Sequence, residues 1–79
     1  MKLEVLGTGC TKCKRMYDNV TEAVKKSEVQ AEVVKVEALE EIVSKGVMMT
    51  PSLFLDGEEV VAGRVPTVNE IIKIIRENS

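Results

Sequence analysis

Both cysteines of the chain lie in Gly7-Thr8-Gly9-Cys10-Thr11-Lys12-Cys13, between an apolar run from Leu3 to Leu6 and a helical pattern that starts near Thr11. This placement constrains the fold more than any other feature, because a strand has to hand over to a helix within a few glycine-rich residues. Two thiols at this spacing can close a small disulfide ring or grip a soft metal. A helix start supplies unpaired N–H groups and the positive end of the dipole, which favour thiolate over thiol at Cys10. Lys12, Lys14 and Arg15 put three cations into the first turn, where each weakens a helix by about 0.3–1 kcal/mol. The same charges stabilise a neighbouring thiolate, with Lys12 favoured by proximity; the alternative is a solvated basic turn.

Length and composition narrow the classes. Seventy-nine residues make a single domain, 1–79, that buries about 60% of its unfolded surface. A net charge of −2 with one Phe and one Tyr lacks the basic patch and stacking aromatics of a nucleic-acid binder. The chain opens into a strand carrying Lys2 and Glu4 instead of an apolar leader, and no run reaches membrane-spanning length. A cytoplasmic protein with no nucleic-acid or membrane partner is expected, a monomer that holds no cofactor. In that compartment a CxxC pair cycles or binds metal more often than it staples a fold.

Taken in order, Lys2–Leu6 reads as a strand and Gly7-Thr8-Gly9 as the tight turn after it. Thr11–Ser27 reads as a helix that buries Cys13, Met16, Val20, Ala23 and Val24. Ala31–Val36 is apolar on both faces at Val33-Val34, as in an interior strand covered by helices, and the strand–helix–strand length favours a parallel pair with a right-handed crossover. Ala38–Lys45 reads as a short helix with Leu39, Ile42 and Val43 inward, stopped by Gly46. After Met48-Met49-Thr50-Pro51 come Leu53–Leu55, an Asp56-Gly57 hairpin turn and a strand over Glu59–Ala62. Thr67-Val68-Asn69-Glu70 has capping-box spacing and opens a helix to Arg76 with four isoleucines on a broad apolar face.

The resulting α/β order, β-α-β-α-β-β-α, with CxxC after the first strand and Pro51 before the third, resembles the thioredoxin and glutaredoxin family. Most similar are its small redox-active-disulfide members, through the Gly7–Cys13 motif, Thr50-Pro51, Asp56-Gly57 and Gly63. The resemblance spans the whole chain. It implies a thioredoxin-like fold, with a four-stranded mixed sheet of order 2-1-3-4 and helices on both faces. It also implies that Cys10 is the exposed nucleophile, that Cys13 resolves the mixed disulfide, and that Pro51 is cis. Gly9, Thr50, Pro51 and Gly63 would then line the substrate groove. The function implied is a thiol–disulfide oxidoreductase that reduces protein disulfides.

Departures from better-known relatives bear on partners. Gly9 stands where many thioredoxins carry tryptophan, and Thr11-Lys12 replaces their Gly-Pro or the glutaredoxins' Pro-Tyr. Lys12, Thr50 and Arg64 could meet glutathione, but the acidic cluster after Gly63 that would hold its amino end is missing. Apolar Met48, Met49 and Val65 suit a protein partner better, so a thioredoxin-reductase-type electron donor is expected, with weak or no glutathione-dependent activity. Glu4, six residues before Cys10, matches a buried acid of thioredoxins that helps deprotonate the resolving thiol; its local pattern with Lys2 instead suggests a solvated strand residue. A soft-metal CxxC carrier is the main competing reading, with Met48-Met49 as added soft ligands. The helical C-terminal pattern and the lack of histidine oppose it. An interaction domain with an inert disulfide is a further alternative, disfavoured by the expected compartment.

Overall fold

The computed structural model describes residues 1–9 and 11–78; Cys10 and Ser79 lie outside the described residues. The elements are β1 (Lys2–Leu6), α1 (Thr11–Ser27), β2 (Glu32–Val36), α2 (Leu39–Ser44), β3 (Ser52–Leu55), β4 (Glu58–Ala62) and α3 (Val68–Glu77). Their order is the expected one. The strands form one four-stranded sheet, β2-β1-β3-β4. β1 runs parallel to β2, with Leu3 opposite Val33 and Leu6 opposite Val36, and antiparallel to β3, with Leu6 opposite Ser52.

Alternation along the strands sorts side chains onto two faces. Leu3, Val5, Leu53 and Leu55 point to the face where Met16, Val20 and Ala23 of α1 meet Ile71 and Ile75 of α3. Leu6, Val36 and Phe54 point to the other face, where Ile42 of α2 covers them. α3 starts as its sequence dictates: the Thr67 hydroxyl accepts from the Glu70 N–H, and the Glu70 carboxylate accepts from the Thr67 N–H. The β3–β4 hairpin turns through Asp56 and Gly57, both at positive φ, a backbone that matches the twist of two-residue hairpins. In β4 one extra residue, Val60, sits between the pairs Leu53–Val61 and Phe54–Glu59.

Two expectations are corrected. β2 is an edge strand, as the order 2-1-3-4 implied by the resemblance has it, and not the interior strand that its own apolar pattern suggests. Its valines read as interior because α1 and α2 half-cover them from opposite faces, and facial cover says nothing of lateral neighbours. In α2 Ile42 points inward, but Leu39 is 65% and Val43 64% exposed. The three share one side of the helix by their spacing, but the apolar cluster beneath it, Leu6, Val36 and Phe54, is small and is covered by Ile42, leaving Leu39 and Val43 outside it. Among the described residues no helix is long and apolar enough to cross a membrane.

Candidate active site

The parallel strands β1 and β2 end together, and their register carries the chain into the site. The Gly7 N–H donates to the Val36 carbonyl at 3.0 Å, continuing the ladder one residue past each strand. There Cys13, 6% exposed in the first turn of α1, packs on the backbone of Gly7. A Cβ at Gly7 would collide with Cys13 Sγ and stand 4.0 Å from Pro51 Cα. Glycine is required here for close approach, and that approach brings Cys13, Gly7 and Pro51 together.

Pro51 is buried and its bond to Thr50 is cis. Short local bonds hold the loop around it. The Ser52 hydroxyl donates to the Met49 carbonyl at 2.6 Å, and the Gly63 N–H donates to the Pro51 carbonyl at 2.9 Å. Gly63 has φ +72°, and the Met49 side chain lies across it, so that a Cβ there would come within 2.6 Å of Met49 Cε. Thr50 is exposed, as are Met48 at 96% and Met49 at 58%. Val65 is half-buried against the core.

A half-open cleft of about 60 Å³ borders Cys13 on the other side, lined by Val5, Gly7, Gly9, Cys13, Lys14, Lys35 and Glu37. Lys35 Nζ also stands over the Tyr17 ring, 4.4 Å from its centroid, a cation–π contact that fixes one wall. Glu37 Oε2 lies 3.6 Å from where Gly9 would carry a Cβ. Lys35 and Glu37 did not stand out in the sequence. The signal that could have found them is topological: sites in open α/β sheets form beyond the carboxyl ends of parallel strands, and both residues are at that end of β2.

Of the residues picked out from the sequence, Gly9, Cys13, Pro51 and, through the Pro51 carbonyl, Gly63 converge here. Cys10 lies outside the described residues. Lys12 is exposed in the first turn of α1, where no acidic residue accompanies it. Arg64 is taken up elsewhere: its guanidinium meets the Glu70 carboxylate at 2.8 Å, a hydrogen bond that raises the pKa of Arg64 and lowers that of Glu70.

Glu4 corrects the solvated reading. It is 7% exposed, with Oε2 3.3 Å from Lys45 Nζ, and Lys45 in turn lies 5.8 Å from the Phe54 ring centroid. Glu4 stands opposite Phe54 of β3 on the face where Ile42 of α2 packs, and Lys45 at the end of α2 closes over it, so this position of β1 is shut off from water. Among the described residues no three His, Cys, Asp or Glu side chains gather as a metal site.

Comparison with known proteins gives a family. A family model described as a thioredoxin domain matches residues 1–76. A thioredoxin of Methanothermobacter thermautotrophicus is 39% identical over 75 residues, covering 95% of this chain and 97% of the relative. A thioredoxin of Methanocaldococcus jannaschii is 41% identical over 69 residues, covering 87% of this chain and 79% of the relative. Matches running nearly end to end, on a sheet of order β2-β1-β3-β4, make the chain a member of the thioredoxin-domain family, a family of thiol–disulfide oxidoreductases.

Proposed function

We propose that this single-domain protein reduces protein disulfides in the cytoplasm by dithiol exchange, with Cys10 as nucleophile and Cys13 as resolving thiol. The observation that carries the reading is Cys13 buried on Gly7 beside Pro51: a thiol buried against backbone is poorly placed to meet a protein first but well placed to attack a neighbour in its own chain. Cys10, preceding the helix, attacks one sulfur of a substrate disulfide, and the other sulfur leaves as a thiolate. Cys13 then displaces the substrate from Cys10, a fast step because both sulfurs belong to one short segment. Lys12, exposed on the same first turn, favours the Cys10 thiolate.

Gly9, Thr50, Pro51 and Gly63 form the groove for an extended substrate segment, and the Gly63–Pro51 hydrogen bond keeps its floor rigid. Exposed Met48 and Met49 rim it with flexible apolar surface, which suits a protein partner more than a charged tripeptide. With no acidic cluster after Gly63 to hold glutathione's amino end, the electron donor is a thioredoxin-reductase-type protein and glutathione is a weak one. The test is insulin reduction with a dithiol donor. Wild type should turn over and Cys10→Ser should not; equal rates would refute the assignment. Turnover driven faster by glutathione and its reductase than by a thioredoxin reductase would refute the choice of donor.

A further inference from the structure

Resolution requires the Cys13 thiol to give up its proton. An ordinary thiol titrates at about 8.5, and a base that accepts the proton as sulfur attacks adds about 10²–10⁴-fold when in direct contact. Two carboxylates lie near this end of β1. Glu4 leaves the strand on the α2 face and is held by Lys45. Val5, its neighbour on the opposite face, lines the cleft that Cys13 borders. Glu37 lines that same cleft and, among the described residues, makes no ion pair. The cleft, about 60 Å³, exceeds the roughly 10–15 Å³ that one water needs.

Resting on the dithiol reading above, we propose that Glu37, not Glu4, takes the proton of Cys13 during resolution, through water held in this cleft. The Cys13 S–H passes its proton by way of the water to the Glu37 carboxylate. Its sulfur attacks the Cys10 sulfur of the mixed disulfide, and the Cys10–Cys13 bond forms. The bond from Cys10 to the substrate sulfur breaks, and the substrate leaves with the electron pair as a thiolate that is protonated by solvent. The dithiol loses two electrons and the substrate disulfide gains them; Glu37 returns its proton to water. The charged groups facing Cys13 are Lys14 from α1, with Lys35 and Glu37 from the end of β2, and the two lysines offset the negative charge that develops on sulfur.

The experiment is stopped-flow reaction of the reduced protein with DTNB, whose first thionitrobenzoate reports attack by Cys10 and whose second reports resolution by Cys13. With Glu37→Gln the second phase should slow about tenfold relative to the first at neutral pH, less than a direct base supplies because water relays the proton. The deficit should shrink steadily as pH is raised, because hydroxide increasingly takes the thiol proton without the carboxylate. Glu4→Gln should leave the ratio of phases within about twofold. A carboxylate acting merely as a like charge predicts the opposite sign, since its removal would ease thiolate formation; a faster second phase in Glu37→Gln therefore overturns the proposal. So does an unchanged ratio, or a slowed second phase in Glu4→Gln alone. Absence of any thionitrobenzoate release from wild type would defeat the dithiol reading itself.

Discussion

The two faces of the sheet are built to different thicknesses. Under α1 and α3 the buried cluster draws on β1, β3, β4 and both helices, from Leu3 and Met16 to Ile71 and Ile75. Under α2 it comprises Leu6, Val36, Ile42 and Phe54, with Val34 and Val47 at its margin. The thick face is closed by long helices packed on each other and on the strands. The thin face admits an ion pair, Glu4 with Lys45, and leaves Leu39, Val43 and Met48 in solvent. Stability therefore concentrates on one face, while the other gives up burial and keeps apolar surface open on α2 and in the segment leading to Pro51.

Substitutions that truncate one face and spare the other test this division. Ile71→Ala, on the thick face and wholly buried, should cost about 2–5 kcal/mol in urea unfolding. Val43→Ala, on the outer side of α2, should change stability by less than about 0.5 kcal/mol; equal losses would abolish the contrast. Gly7→Ala, at the seam where Cys13 meets the sheet, should cost about 1–3 kcal/mol because Cys13 has to shift, and it should slow resolution more than the first attack. An unperturbed second phase would show that the close approach serves packing alone. Glu4→Gln should cost about 1 kcal/mol, since Lys45 is one-third exposed and recovers some hydration.

The smallest effect lies at the start of α3. Arg64 holds the Glu70 carboxyl below its ordinary value, chiefly by a direct hydrogen bond. A carboxyl whose pKa is depressed by folding stabilises the fold above its unfolded pKa and loses that contribution as pH falls through the folded one. Glu70→Gln keeps the capping acceptor but removes the charge, so its stability deficit relative to wild type should shrink as pH is lowered below about 4. A deficit constant with pH would assign it to the cap rather than to the ion pair.

How far the sequence could be read follows from the range of each signal. α1 and α3 were legible because their apolar residues recur over several turns, and α3 carries its own cap at Thr67 and Glu70. The Asp56-Gly57 turn was legible because its positive-φ pair is a local demand. In α2 the sequence placed Ile42 correctly but not Leu39 and Val43, since a helical pattern gives the side that faces inward and not how much apolar sheet lies beneath it. The burial of Glu4 leaves no local mark for a different reason: its environment comes from β2, β3 and the end of α2, none of them adjacent in sequence. Glu37 carried no local mark at all, and only the parallel register of β1 with β2 sets it beside Gly9. The cis bond at Pro51 came from family resemblance, not from spacing.

The central claim is the order of the two thiols, and trapping tests it most directly. Cys13→Ser, incubated with an oxidised protein substrate, should accumulate a mixed disulfide that peptide mass mapping places on Cys10, while Cys10→Ser should accumulate none. An adduct found on Cys13 of the Cys10→Ser protein, with none on Cys10 of the other, would reverse the roles and contradict the account.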